Sequence, residues 1–157
     1  MKFIKFVIIV VIGTLLGPVI HAKPSSVTWE QLAQLNNETG VISKEIEQLI
    51  QEEIQIAGFI VPLELGEDTE KVSEFVLVPN PLACLHVPPP PPNQMIYVKM
   101  SKEIPLDMDL RGVYITGQLS IPKPKAEYGL YSYELTGRKA KPANIEVKDE
   151  IFELITQ

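Results

Sequence analysis

The stretch with the clearest chemical potential runs from residue 84 to residue 94 and holds the chain's only cysteine. It reads Cys-Leu-His-Val, then five prolines, then Asn-Gln. In an extended backbone, residues two apart point to the same side, so we expect Cys84 and His86 to be neighbours on one face. A thiolate and an imidazole can share a zinc ion, and copper(I) accepts the same pair. The spacing therefore predicts a transition-metal site, for zinc or copper, at Cys84 and His86.

Two protein ligands alone make an open site. The chain has no second Cys, and its only other His is His21. A closed zinc site must therefore recruit a carboxylate, a water or a second chain. Met95 and Met100 are candidate soft ligands for copper(I).

Two other interpretations of the pair stay open. Free Cys is among the most often buried residue types, so Cys84 can be a small core hydrophobe while His86 bonds a loop carbonyl. A cysteine beside a histidine also has the outline of a nucleophile and its base, but no third orienting group is identifiable. The chain lacks a Cys-x-x-Cys motif, a phosphate-binding Gly-rich loop, a Ser nucleophile elbow and a His-Glu-x-x-His zinc helix. We therefore expect a binding protein rather than an enzyme.

The five prolines, residues 88–92, predict a stiff polyproline II rod of roughly 15 Å. The amides of Asn93 and Gln94 end this rod, where they can orient a ligand or cap loop carbonyls. The rod can also dock onto an aromatic-lined groove of a partner, or onto the chain's own Tyr128, Tyr131 and Tyr133. Packing inside the domain is the simpler expectation, because apolar segments flank the rod on both sides.

Residues 1–22 have the three-part pattern of a secretory signal peptide. Lys2 and Lys5 precede an apolar run at residues 6–17, and Ala22 stands at the −1 position of a candidate cleavage site. The run is shorter than the roughly 20 residues of a membrane span. We expect residues 23–157 to form a single exported domain, periplasmic or secreted, with no membrane span after cleavage. An uncleaved N-terminal anchor is the alternative.

The charge of the chain limits its partners. The formal net charge is −6, and loss of Lys2 and Lys5 makes it −8. An acidic protein is a poor match for the phosphates of nucleic acid or for an anionic membrane surface. The composition therefore argues against nucleic-acid binding and is compatible with cations.

Hydrophobic periodicity predicts two short helices followed by five strands. Thr28 and Gln31 have capping-box spacing at the start of a helix over residues 29–35, and Ser43 can cap a second helix. The expected strands are residues 54–63, 73–78, 95–100, 110–121 and 128–135. Gly58 and Gly117 interrupt two of them, as expected where a strand bends to serve both halves of a barrel. The pattern predicts a mainly β fold, a small five-stranded OB-like barrel with short N-terminal helices. A two-layer sandwich or an α+β fold with helices on a sheet is the fallback.

Three strings of sequence together resemble an exported bacterial family, the domain of unknown function 3299. They are residues 58–64, 74–79 and 84–94, and the resemblance covers roughly residues 53–135. It implies an exported bacterial protein associated with ABC-type export or metal-handling systems, and it brings no established activity. Because Glu64 lies in one of these strings, it is our first candidate for a third metal ligand. The rival hypothesis is an interaction module whose proline-rich loop docks a membrane transporter or another envelope protein.

Overall fold

The strands alternate buried and exposed side chains, and each α-helix that the structure describes begins at a capping residue. The computed structural model describes residues 23–63, 70–80, 89–106, 111–122 and 131–145. In these ranges the elements are β1 (Ser25–Val27), α1 (Trp29–Leu32), α2 (Lys44–Leu49), β2 (Glu53–Pro62), β3 (Lys71–Val78), a 3₁₀ turn (Pro92–Gln94), β4 (Ile96–Pro105), β5 (Val113–Ser120) and β6 (Tyr133–Pro142).

Five strands close into a barrel within the described ranges. Their order is β2-β3-β4-β6-β5, and β5 pairs back onto β2. The β4–β6 pairing is parallel and the other four pairings in the ring are antiparallel. The predicted mainly β, five-stranded OB-like barrel is confirmed. Strand β1, which adds to β2 in parallel, was not predicted because a three-residue strand leaves almost no periodic signal.

Gly58 lies where β2 changes partners. Residues 53–58 pair with β5, and residues 59–62 pair with β3. A Cβ at Gly58 would come within 2.8 Å of both Leu77 Cγ and Val78 O, so only glycine fits this crossing. Strand β2 runs through Gly58 without a break, and its change of partner there confirms that the strand serves both halves of the barrel.

The predicted interruption at Gly117 is also confirmed. The β5–β6 register shifts between Thr116 and Gly117. Gly117 faces Gly137 there, and a Cβ on Gly117 would collide with the carbonyl of Thr136. The bulge lets the two strands approach closely and bend together.

Strands β4 and β6 differ most from the prediction. Strand β6 begins at Tyr133 and runs to Pro142, whereas residues 128–135 were expected, and β4 extends five residues beyond the expected end at Met100. Both extensions carry mostly exposed polar side chains, among them Lys139 and Lys141. Such stretches lack the apolar alternation on which the prediction depended, and they are held as strands by pairing with their neighbours.

The helices begin as predicted, but the first is shorter. The Thr28 hydroxyl accepts from the backbone N–H of Gln31, and the Gln31 side chain accepts from the N–H of Thr28, which completes the capping box. Ser43 caps α2 in the same sense. Helix α1 ends at Leu32 rather than at residue 35, since the N–H groups of Gln34 and Leu35 bond three residues back instead of four. No helix in the described ranges is long and apolar enough to cross a membrane.

Candidate functional site

Three of the five predicted site residues lie outside the described residues. These are Cys84, His86 and Glu64, and their roles as metal ligands stay predictions. Asn93 and Gln94 lie within the described ranges, in the 3₁₀ turn that ends the proline run. Among residues that the structure describes, no three His, Cys, Asp or Glu side chains are grouped so as to hold a metal ion.

The turn at residues 92–94, here called the anchor turn, is bonded to helix α1 through its two amides. Asn93 Nδ2 donates to the carbonyl oxygens of Ala33 and Leu35, at 3.0 and 2.9 Å. Gln94 Nε2 donates to the carbonyl of Trp29 at 2.9 Å. Trp29 O also accepts from the N–H of Ala33, so Gln94 adds a second bond to it, whereas Asn93 bonds carbonyls just after the helix, 60 and 58 residues away in sequence.

Two further bonds fix α1 on the barrel. The buried Tyr133 hydroxyl donates to the carbonyl of Leu32 at 2.8 Å, and Trp29 Nε1 donates to the carbonyl of Ala57 at 2.7 Å. Burial raises the pKa of Tyr133 well above its usual range, so the phenol stays protonated and remains a donor. Helix α1 is therefore tied to β2 and β6 as well as to the anchor turn.

The anchor turn also joins the start of β6. The N–H of Ser132 donates to the carbonyl of Pro92 at 2.8 Å. Pro91, one residue earlier, has φ −63° and ψ 154°, which is the polyproline II conformation expected of the run. The other side of the loop starts after Val78, which is buried at the end of β3. The residues at the two ends of loop 79–91 are thus held by the barrel.

The side-chain oxygen of Asn93 is buried, and no hydrogen-bond partner for it is found in the described part of the chain. The two bonds donated by Nδ2 to carbonyls define which end of the amide is nitrogen. A buried acceptor without a partner is rare in proteins and is typically met by an ordered water or a ligand atom. The anchor turn therefore contains an unused acceptor, Asn93 Oδ1, at the end of loop 79–91.

The outer face of β3 and β4 carries an aromatic pair that sequence reasoning missed. The rings of Tyr97 and Tyr131 stack with centroids 5.3 Å apart and an interplanar angle of 19°. The Tyr97 hydroxyl donates to Glu74, and Lys99 Nζ lies 2.9 Å from the same carboxylate. Tyr131 was one of three candidates to pack on the prolines, which stays a prediction, and its ring stacks on Tyr97. The pairing depends on the parallel β4–β6 contact, which no local pattern encodes.

Charge and burial change the pKa values of this group. The hydrogen bond to Glu74 is the main reason that the pKa of Tyr97 rises to about 12, and burial adds to the rise. The same bond, followed by the contact with Lys99, lowers the pKa of Glu74. Burial and the nearby Glu134 raise the pKa of Tyr131. These phenols are therefore neutral at physiological pH and act as hydrogen-bonding surface rather than as bases.

A cavity of about 300 Å³ lies beside the anchor turn. Its walls come from the turn after α1, from the end of β5 and from Tyr131 and Ser132. The Ser132 hydroxyl donates to Asn37 Oδ1 across it at 3.1 Å. The cavity is at the small end of the range for ligand pockets, and it adjoins the same stem of loop 79–91.

Comparison with known proteins identifies the family. Residues 19–142 match the family model described as "Protein of unknown function (DUF3299)". The chain belongs to this family. The DUF3299 match includes the whole Cys-x-His loop and the anchor turn, so the resemblance noted in the sequence is confirmed.

A solved structure is similar to this DUF3299 chain. It is the crystal structure of a DUF3299 family protein from Pseudomonas aeruginosa PAO1, at 2.45 Å resolution. The two chains are 28% identical, with a TM-score of 0.60 over 80% of this chain and 99% of that one. A comparison with curated proteins finds no match.

Proposed function

We propose that this DUF3299 protein is an exported, non-enzymatic binding protein of the bacterial envelope. Its loop 79–91 binds a transition metal, zinc or copper(I), through the Cys84 thiolate and the His86 imidazole. The chain's only cysteine and its only histidine after residue 22 stand two positions apart in this loop. That placement is the chemical basis of the proposal, because these are the two strongest protein ligands for both metals.

The anchor turn is the structural observation that carries the proposal. Asn93 and Gln94 bond three carbonyls in and just after α1, and Pro92 accepts from Ser132, so the loop returns to a fixed point. Proline has little conformational freedom to lose. A loop that is stiff and fixed at its stems loses less entropy when it closes on a ligand, which favours binding by only a few donors.

Glu64, the third proposed ligand, follows a different strand from Cys84. Phe59 pairs with Val78, and Pro62 pairs with Phe75, so β2 leads to Glu64 at one end of this ladder and β3 leads to Cys84 at the other. The two ends are separated by roughly 10 Å at about 3.3 Å per residue. A site shared by Glu64 and Cys84 must therefore bridge this distance through residues outside the described ranges. Water or a second chain is the other source of a third ligand.

Met95 and Met100 have different positions relative to this loop. Met100 is buried in the barrel core, and its sulfur occupies the space that a side chain at Gly137 would need. Met95 is partly buried and follows the anchor turn directly, where it packs with Phe59 and Val78. Of the two, Met95 is the nearer candidate for a copper(I) ligand.

Metal titration tests the proposal. The exported protein is titrated with zinc, and with copper(I) under reducing conditions, by calorimetry and by competition with a chelator. We expect one metal per chain, and a loss of at least about tenfold in affinity for Cys84→Ser and for His86→Ala. Glu64→Gln is compared with Glu67→Gln, which removes the same charge from the same connection. If the wild type binds no metal at micromolar concentration, or if Cys84→Ser binds as well as wild type, the proposal is wrong.

A second candidate function is docking of a partner by the same loop. Pro89 and Pro91 are exposed, which leaves part of the proline run available to an aromatic-lined groove on a transporter or another envelope protein. A photo-crosslinking residue at position 89, tested in living cells against one at Lys102, distinguishes this role. We expect a partner adduct from position 89 alone, and equal labelling from both positions would contradict docking through the loop.

A further inference from the structure

A groove of about 650 Å³ crosses the outside of the barrel where β1, β2, β5 and β6 meet. Three lysines, Lys23, Lys139 and Lys141, line it, and all three are exposed. They come from opposite ends of the chain and are brought together by the pairing of β5 with β2 and β6. The groove thus concentrates positive charge in a protein whose formal net charge is −6.

The acidic residue that lines this groove is already paired with a cation. Glu53 lines the groove, and its carboxylate lies 2.8 Å from the guanidinium of Arg138. The three lysines have no carboxylate within ion-pair distance among the described residues. Lys141 Nζ lies over the ring of Tyr114, 5.3 Å from its centroid, a contact that holds the ammonium without cancelling its charge. The lysine charges are therefore available to a ligand.

The floor of the groove supplies a hydrogen-bond donor. Gln55 Nε2 donates to Thr116 Oγ1 at 3.0 Å, and Thr116 is 7% exposed. A hydroxyl that accepts one bond keeps its own proton to donate. Thr116 and Gln55 face each other across the β2–β5 ladder, so this polar floor is held by the barrel itself. Three cations above a fixed donor form an arrangement that suits an oxyanion.

We propose that this groove binds the phosphate group of an anionic ligand. Lysine ammonium groups bind phosphate as point charges, and a threonine hydroxyl donates well to its oxygens. The groove is much larger than one phosphate, so the rest of the ligand is a small molecule or a lipid headgroup. A long polyanion such as nucleic acid is disfavoured, since the acidic remainder of the protein repels it. None of the described residues of loop 79–91 lines the groove, and the proposal is independent of metal binding.

The test uses inorganic phosphate and glycerol 3-phosphate as probes at low ionic strength. Binding is followed by NMR shifts of the backbone amides of the exported protein. We expect the largest shifts at residues of β2, β5 and β6 that line the groove. The Lys139→Gln/Lys141→Gln double variant should bind at least about tenfold more weakly. The matched control is Lys71→Gln/Lys102→Gln, which removes the same charge from exposed sites outside the groove and should bind within about twofold of wild type.

Two further arms complete the test. Thr116→Val removes the hydroxyl at nearly constant volume and charge, and we expect weaker phosphate binding with a cooperative thermal unfolding transition that is retained at a somewhat lower temperature, because the bond from Gln55 is lost. Vesicles of phosphatidylglycerol and of phosphatidylcholine distinguish the sources of phosphate. Binding to the anionic vesicles that is lost in the groove double variant assigns a lipid headgroup, whereas binding of glycerol 3-phosphate alone assigns a free ligand. Absence of shifts in the groove, or equal weakening in both double variants, would overturn the proposal.

Discussion

Tyr97 shows how one residue on the outer face of the barrel joins three strands. Its ring stacks on Tyr131 before β6, its hydroxyl bonds Glu74 on β3, and its backbone belongs to β4. The bond to Glu74 favours the neutral phenol, so the pKa of Tyr97 is about 12 in the folded protein. An unfolded tyrosine has a pKa of about 10. Folding therefore holds a proton that the unfolded chain releases at lower pH.

This difference predicts an alkaline dependence of stability. Below about pH 10 both states keep the Tyr97 proton and its contribution is fully present, and it is lost as the pH rises toward about 12. Over that window the unfolded state binds fewer protons, so the free energy of unfolding falls as the pH rises. We expect Tyr97→Phe to reduce this fall and to remove one late-titrating phenol from the alkaline absorbance curve.

Glu74→Gln is the matched variant for that titration. It keeps the Tyr97 ring but removes the carboxylate that raises its pKa, so the Tyr97 phenol should ionise earlier than in wild type. If Tyr97→Phe leaves the upper end of the absorbance curve unchanged, the hydrogen bond to Glu74 does not control this phenol.

At the scale of elements, helix α1 depends on other parts of the chain. A helix of four residues has too few internal bonds to be stable alone. Its capping box satisfies the N-terminal end, and the side chains of Asn93, Gln94 and Tyr133 donate to carbonyls in and just after the helix. Helix α1 and the anchor turn thus stabilise each other. The rigidity of loop 79–91 where it joins the anchor turn depends on this contact.

Asn93→Ala is expected to destabilise that unit. The substitution leaves the carbonyls of Ala33 and Leu35 without their described side-chain donor, which should lower the free energy of unfolding by about 2 kcal/mol. Trp29 is the chain's only tryptophan and lies on α1, so its fluorescence reports the change directly. Denaturant unfolding followed by this fluorescence is the measurement.

Gln48→Ala provides the control for Asn93→Ala. Gln48 is exposed on α2, and its loss should change the free energy of unfolding by less than about 0.5 kcal/mol. Equal stability of Asn93→Ala and wild type, with the same Trp29 emission, would show that the anchor turn does not hold α1.

At the scale of the whole molecule, Lys23 lies both at the predicted processing site and in the lysine-lined groove. We expect cleavage after Ala22, so that Lys23 becomes the first residue and its α-amino group lies at the groove. An α-amino group has a pKa of about 8 and adds positive charge at neutral pH. The intact mass of the protein recovered from the periplasm or medium measures the processing site.

Ala22→Arg is the informative variant for processing, because signal peptidases require a small residue at the −1 position. We expect this variant to keep its leader and to stay with the membrane fraction. Recovery of the wild type with residues 1–22 still attached would show that the segment is an anchor instead.

Much of the barrel was predictable because its signals are local. Thr28 with Gln31 marks a helix start through hydrogen bonds three residues apart, and the apolar alternation of β2 and β3 records one buried face. Gly58 and Gly117 mark a change of partner strand and a register shift, at positions where a side chain cannot fit. Such signals depend on neighbours in sequence, so the fold class could be predicted from the chain alone.

The candidate sites were less predictable because they depend on residues that are far apart in sequence. Asn93 bonds carbonyls 58 and 60 residues away, and Lys23 shares a groove with Lys139 only because β5 pairs with both β2 and β6. No periodicity carries that information, since it arises when the barrel closes in one register. The sequence by itself determined which local elements form and to which family the chain belongs. Only the tertiary structure decided which distant side chains meet, because strand pairing sets those distances after the local elements exist.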